Sequence, residues 1–383
     1  MKMDTKFVHG AKSFESVTGS ISTPIYQSAT FKHPALYEST GYDYSRTLNP
    51  TREKLEETYA LLESGTHGSA FSCGMAAITA IFELFQFGDH ILVGDDIYGG
   101  TYRFFQDISS KRNLEFSYIN TTSLKEIEKN IKPNTKAIFL ETPTNPMMKV
   151  SDIQSIQKLV KPKNILLIVD NTFLSPYFQR PIELGADIVV SSGTKYLAGH
   201  NDTLSGLVAS ANSELGEKIQ FIQNNTGAVL SPFDSWLTLR GIKTLGIRMR
   251  KQEENSIELA NFLKEHPAIA KVYYIGLPEH PSYELSRRQA SGFGAMLSFE
   301  VKDPNLVPNL LKRIMIISFA ESLGGVESLL TYPIVQTHNA LPEATLHKLG
   351  INDRLLRFSV GIEDVEDLKK DLEQALSDKV LSV

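Results

Sequence analysis

An α/β fold, with a mostly parallel sheet wrapped by helices and a smaller α+β domain after it, is what three observations predict. From about residue 68 the chain alternates short apolar runs with amphipathic stretches, the rhythm of strands joined by crossover helices. The texture changes near Ser231, where a long helical pattern begins. Beyond it come further strand-like runs and a closing amphipathic helix.

Taken in order, residues 1–50 carry little periodicity and many Ser, Thr and Tyr. They read as an arm whose packing partner is not evident within its own chain. The apolar runs that follow are Ser69 to Phe71, Ile91 to Val93, Leu114 to Ile119, Ala137 to Leu140, Ile165 to Val169, Ile188 to Val190 and Leu204 to Ala209. Together they predict a large domain over 51–232. From Ser231 to Pro267 the pattern reads as one linking helix opened by an Asp234 cap. KVYYIG, GAMLSFEV, IISFAES and LLRFSVG read as strands of a smaller domain, so that linking helix and small domain together span 233–383. DVEDLKKDLEQAL closes it with Val365, Leu368, Leu372 and Leu376 on one face, and no internal repeat is visible.

Composition narrows the partners. Net charge is −5 and Lys and Arg are scattered among Asp and Glu, which argues against nucleic acid. MKMDTKFVHG lacks an apolar run and no stretch approaches the roughly 18 apolar residues of a membrane span, so the chain reads as cytoplasmic. The single cysteine, Cys73, cannot form an internal disulfide, which suits a reducing compartment. It is expected to be a small buried residue without chemistry. The nine histidines show no metal-ligand spacing, and no metal is expected.

Ligands gather at the carboxyl ends of parallel strands, and the residues that look chemical fall there. Asp95 and Tyr98 follow the run ending in ILVGDD, Glu141 to Asn145 follow AIFL, Asp170 ends NILLIVD and Lys195 follows IVVSSGT. An imine to pyridoxal phosphate (PLP) needs a flexible primary amine, a carboxylate facing the ring nitrogen and hydroxyls for the phosphate. Lys195, Asp170, Ser192 and Thr194 offer that set.

Each neighbour has a plainer reading beside the chemical one. Gly74 in FSCGMAAITAIFELF opens a helix whose free N–H groups suit a phosphate, or marks a close-packed strand–helix turn. Asp170 is an Asx-turn residue before Asn171 and Thr172, or the group that keeps a pyridine nitrogen protonated. Tyr98, followed by two glycines, is a stacking ring or a core tyrosine. Arg357, a lone basic residue in a strand-like run, waits for a substrate carboxylate or pairs with Glu363 or Asp364. His200 in AGHND reads as a satisfied histidine and not a base, Arg46 has no sequence-local role, and Arg52 with Glu56 reads as a solvated helix pair.

At these residues the chain resembles the PLP enzymes of cysteine and methionine metabolism, of aspartate-aminotransferase-like fold (fold type I). The motifs are YDYSRTLNPTR, SCGMAAI, DDIYGGT, ETPTNP, VDNTF, SSGTKYLAGHND, ESLGGVESL and LLRFSVGIED, in order along nearly the whole chain. The resemblance implies a mostly parallel seven-stranded sheet, with Lys195 as Schiff-base lysine, Asp170 as pyridinium partner and Tyr98 as stacking tyrosine and proton carrier. Gly74, Met75, Ser192 and Thr194 would hold the phosphate, joined by Tyr44 and Arg46 from a neighbouring subunit, which would account for the arm. Asn145 would contact the ring hydroxyl, and Arg357, with Ser322 nearby, the substrate carboxylate. A homotetramer of active-site-sharing dimers acting on small amino acids is implied as well.

The departures are informative. Ser191 and Gly193 stand where relatives often carry His and Ala. Gly100 stands where methionine γ-lyases resemble one another in carrying Cys, which argues against that activity. Glu321 matches members that handle cystathionine, where a carboxylate would receive a distal ammonium. Through ETPTNPMMKVSDI, VLSPFDSWLTLRG, RMRKQEENS and TYPIVQTH the resemblance is nearest to bacterial cystathionine γ-synthases that also act as O-acetylhomoserine thiolyases. That implies a transferase performing γ-replacement on an O-acylhomoserine. A cystathionine β- or γ-lyase is the alternative that keeps the cofactor. A non-catalytic PLP-binding homologue is disfavoured by the presence of Lys195, Asp170 and Arg357.

Overall fold

The apolar runs become the strands of one sheet: β1 (His67–Phe71), β2 (His90–Gly94), β3 (Glu115–Ile119), β4 (Thr135–Glu141), β5 (Leu166–Asp170), β6 (Ile188–Ser192) and β7 (Gly206–Ser210). This computed structural model describes residues 1–11, 18–339 and 342–377; parts of the arm and of the C-terminal segment lie outside the described residues. The strand order is β1-β7-β6-β5-β4-β2-β3. Strands β3, β2, β4, β5 and β6 are parallel, and β7 runs against both its neighbours.

The central strands are buried on both faces, which is why they read as continuous apolar runs without alternation. Their side chains still divide by the two-residue period. Val93, Phe139, Ile168 and Val190 pack with helix Gly74–Phe82 on one face. Leu92, Ile138, Leu167 and Val189 pack with helix Ile153–Val160 on the other.

A second sheet has the order β10-β11-β12-β9-β8, from β8 (Ile269–Tyr273), β9 (Met296–Val301), β10 (Ser318–Phe319), β11 (Leu329–Thr331) and β12 (Leu355–Ser359). Helix Val365–Leu376 lays Leu368, Leu372 and Leu376 on it, with Val365 at the margin. IISFAES yields only the two residues of β10, and β11, three residues long, is too short to carry a periodic signal.

The linking helix is broken. It consists of Pro232–Ile242 and Leu245–Glu265, because the Gly241 carbonyl is claimed by the Thr244 N–H at 3.1 Å and by Arg248 Nη2 at 2.8 Å. The N-cap is Ser231, whose hydroxyl accepts the Asp234 N–H at 3.0 Å; Asp234 lies inside the first turn.

The arm has own-chain partners that its sequence conceals. Phe7, on a short helix Met3–His9, is buried against the cluster containing Leu55 and Tyr59 of helix Pro50–Glu63. Arg52 and Glu56 are not solvated: both are buried, 3.4 Å apart. Arg52 donates to the carbonyls of Ser45 (2.6 Å), Arg46 (3.2 Å) and Thr47 (3.1 Å), while Glu56 accepts the Ala70 N–H and Gln223 Nε2, each at 2.9 Å. The pair ties the arm to β1. Among the described residues no helix is long and apolar enough to cross a membrane.

Removing one member of a buried ion pair strands the other. Arg52→Ala is therefore expected to cost about 3–5 kcal/mol in urea unfolding, and a loss below about 1 kcal/mol would return the pair to the solvated class.

Candidate active site

Lys195 stands on the connection between β6 and β7, which the antiparallel pairing closes at its base. Ser192 pairs with Gly206, and beyond it the Thr194 N–H donates to the Ser205 carbonyl at 3.2 Å while the Ser205 N–H donates to Thr194 Oγ1 at 3.0 Å. On the other side Arg248 donates to the carbonyls of Tyr196 (2.7 Å) and Leu197 (3.3 Å). The backbone at Lys195 is thus clamped before and after. Its Nζ donates to Ser322 Oγ at 2.7 Å. Burial first, then the nearby Arg357 charge, lowers the amine to a pKa of about 8, against a smaller opposing pull from Glu321.

Asp170 ends β5 facing the same cavity. Thr172 donates to its Oδ1 from both N–H (2.9 Å) and hydroxyl (2.5 Å), and the same hydroxyl accepts the Ser192 N–H at 2.9 Å. The Asx-turn reading and the chemical one are therefore both met by one residue. Burial raises its pKa to about 6, with the Thr172 bonds opposing. Glu141, at the end of β4, is in register with it and lines the cavity, a carboxyl whose place at a strand end the sequence marks without giving it a role.

The cavity, about 370 Å³, also takes in the N-terminus of helix Gly74–Phe82. A Cβ on Gly74 would lie 3.1 Å from Ser192 Cβ and Oγ, and one on Gly206 would lie 2.1 Å from the Cys73 carbonyl. Those glycines let the helix end approach β6 and β7 and turn its free N–H groups into the cavity beside Met75, Ser192 and Thr194. Cys73 is half-buried at this helix N-cap and lines the cavity, more exposed than its sequence suggests because the chain turns there into the site.

Tyr98 is 41% exposed, so it is no core tyrosine. Its ring covers Gly100, where a Cβ would meet Tyr98 Cε1 at 2.4 Å. A side chain at position 100 would displace the ring.

Arg357, in β12, is 2% exposed. Its Nη1 donates to Asn145 Oδ1 at 3.1 Å and its Nη2 to the Ser322 carbonyl (2.8 Å) and Thr331 Oγ1 (3.0 Å), while its buried Nε has no partner among the described residues. Glu363 serves Ser328 and Asp364 caps the last helix, so the structural pairing is not formed. Burial lowers the guanidinium to about 10. Ser322 bridges Lys195 and Arg357 from a left-handed backbone, φ 92°. Glu321 beside it is exposed where the cavity meets a wider groove of about 910 Å³.

Two expected residues do not join the cavity of their own chain. Tyr44 is exposed, and Arg46 lies over its ring and donates to the Asn224 carbonyl (2.7 Å) and Oδ1 (2.9 Å). His200 is exposed too, its Nδ1 donating to the Ala198 carbonyl at 2.7 Å in the loop, so it is not a core histidine. Sequence reasoning missed Arg248 and His338, the latter 3.1 Å from the Asn145 carbonyl through Nε2. Neither carries a local signal, since each acts through a tertiary contact.

The family profile described as "Cys/Met metabolism PLP-dependent enzyme" matches residues 4–377. The chain belongs to this family. A cystathionine γ-lyase of Bacillus subtilis is 50% identical over 376 residues, 98% of this chain and 99% of the relative. A cystathionine γ-synthase of Haemophilus influenzae is 50% identical over 377 residues, 98% of each chain. The crystal structure of cystathionine γ-lyase from Lactobacillus plantarum complexed with L-serine superposes with a TM-score of 0.95 at 44% identity, covering 98% of each chain. The fold is accordingly fold type I, and the cofactor is PLP. The cavity fits that group: it offers an amine of lowered pKa, a half-buried carboxyl of raised pKa, a bare helix N-terminus with adjoining hydroxyls, and a guanidinium N–H without a partner among the described residues.

A neutral amine reacts with an aldehyde and an ammonium does not. The rate at which PLP combines with the apoenzyme is expected to rise with pH and level off with a midpoint near 8, the pKa of Lys195. A midpoint near the ordinary lysine value of about 10.4 would refute the lowered amine.

Proposed function

We propose that this chain catalyses γ-replacement, joining cysteine or another thiol to the γ-carbon of an O-acylhomoserine. One observation carries the reading: the Lys195 amine, the unpaired edge of Arg357 and the Glu321 carboxylate share one cavity. That set suits an amino-acid carboxylate held beside a proton-moving amine, with a second ammonium received at the rim.

When bound, PLP supplies the sink for the electrons released as the substrate loses its α proton. Lys195 anchors it and, once displaced by substrate, moves protons at Cα and then Cβ. With a pKa of about 8 the amine is partly neutral near neutrality and can also return a proton. Asp170 keeps the ring nitrogen protonated, and Thr172 holds Asp170 in place. Tyr98 covers the ring and takes a proton from the incoming amino group or thiol. Gly74, Met75, Ser192 and Thr194 grip the phosphate, completed by Tyr44 and Arg46 of the partner subunit. Asn145 contacts the ring hydroxyl, Arg357 with Ser322 orients the substrate carboxylate, and Glu321 receives the distal ammonium. The assembly on this reading is a cytoplasmic homotetramer built from site-sharing dimers.

A second reading, cystathionine β- or γ-lyase, is supported by the 50% identity to the Bacillus subtilis γ-lyase, the same figure as for the Haemophilus influenzae γ-synthase. Both reactions use the same lysine and the same two-ended grip, so product analysis separates them. Incubation with O-acetylhomoserine and cysteine is expected to give cystathionine; keto acid and ammonia from cystathionine, with no synthesis, would move the assignment to the lyase. Lys195→Ala should lower kcat at least about 10²–10⁴-fold in either case. Mixing Arg46→Ala subunits with Lys195→Ala subunits should restore part of the activity, and verified mixed dimers without recovery would count against the shared site.

A further inference from the structure

We propose that Glu141 is a positioning residue that works as an uncharged carboxylic acid, holding the Tyr98 segment through one oxygen and leaving Asp170 as the anion that faces the cofactor ring. The proposal rests on the assignment of Asp170 made above.

Glu141 and Asp170 end neighbouring parallel strands in register. Registered neighbours project from the same face on backbones about 4.8 Å apart. Both side chains line the cavity, and Glu141 is 6% exposed. Two carboxylates so placed cannot both ionise at neutral pH without a cation between them.

No such cation is in reach. Among the described residues Glu141 makes no ion pair within 4.0 Å. From β12, Arg357 acts on it only at longer range, with both Nη groups committed to Asn145, Ser322 and Thr331. Lys149, from the segment after β4, is paired with Asp95 at 3.4 Å. Lys195 donates to Ser322, and buried His338 is held neutral, its pKa lowered to about 4 by burial and by Arg357. From the segment after β2, Asp96 adds another buried carboxyl, which accepts the Thr144 hydroxyl.

The proton therefore has to settle on one of the carboxyls, and the hydrogen bonds choose which. Asp170 receives two donors from Thr172, both of which favour its charged form. Glu141 receives one, the Tyr98 N–H at 3.0 Å. Burial, then Asp170, drives Glu141 well above the carboxylate range, whereas Asp170 is raised only to about 6. The Tyr98 N–H precedes the short helix Gly99–Arg103 and needs an acceptor, which a neutral carbonyl oxygen supplies as well as an anion does.

Glu141→Gln keeps the neutral acceptor and Glu141→Ala removes it. Glu141→Gln is expected to bind PLP within about twofold of wild type and to keep the pH midpoint of the bound cofactor's visible absorption. Glu141→Ala should weaken PLP about tenfold, the consequence of an unpaired N–H. The infrared difference spectrum of wild-type holoenzyme minus Glu141→Gln should contain a protonated-carboxyl C=O band at neutral pH. Absence of that band, or Glu141→Gln weakening PLP as much as Glu141→Ala, would overturn the proposal, and the band reads the proton whether or not the alanine variant folds. If Asp170→Ala left PLP affinity and absorption as in wild type, the Asp170 assignment would fall and the proposal with it. The persisting infrared band would then mark that failure as distinct from a charged Glu141.

Discussion

Arg357 lies in the smaller sheet with no carboxylate within ion-pair distance among the described residues, and the site is arranged around that uncompensated charge. Desolvating a guanidinium costs several kcal/mol unless donors find acceptors, and here the acceptors come from both sheets. Asn145, after β4, answers from the large sheet; Thr331 and Ser322 answer from the small one. The bond to Ser322 is made from a left-handed backbone, a conformation that non-glycine residues adopt where surrounding contacts over-determine it. Through space the same charge, after burial, helps keep the Lys195 amine below its ordinary pKa. The small sheet thereby tunes a lysine that belongs to the large one.

The cavity has acidic groups as well, and its acidity is rationed. Asp96, Glu141 and Asp170 follow or end the adjacent strands β2, β4 and β5, the first two buried and the third half-buried, and all are raised above the carboxylate range. Arg357 and Lys195 line the same cavity as Glu141 and Asp170, so basic groups and carboxyls meet in it. A zwitterionic amino acid entering between them meets the charge pattern that suits it.

Most of the architecture was legible because both-face burial writes itself into the sequence as apolar runs, and the runs at 137–140 and 165–169 became β4 and β5 with shifts of two residues or fewer. The site was legible where chemistry clusters locally, as in SSGTK and VDNTF. What escaped depends on pairing across distance. Glu141 gains its meaning from register with Asp170, which no local window contains. Arg52 and Glu56 have the spacing of a surface pair, and only the arm folding over them makes them interior. The helix from Ser231 breaks because Arg248 takes the Gly241 carbonyl, a contact its own periodicity does not foretell.

The connection carrying Lys195 is fastened at its base by the Ser192–Gly206 pair and the Thr194–Ser205 bonds, and on its far side by Arg248. What is left to move is the side chain alone, four methylenes swinging an amine from a fixed anchor. Its travel is set by rotamers, so the amine can sweep the cavity without any rearrangement of the backbone. The stretch that follows, residues 200–203, has fastenings of its own: Asn201 Nδ2 donates to Glu327 Oε2 and Thr203 Oγ1 to Asp234 Oδ1, each at 2.7 Å. A substitution there acts first on the wider groove that Asn201, Asp202 and Thr203 line, while the anchor of the amine is held by separate contacts.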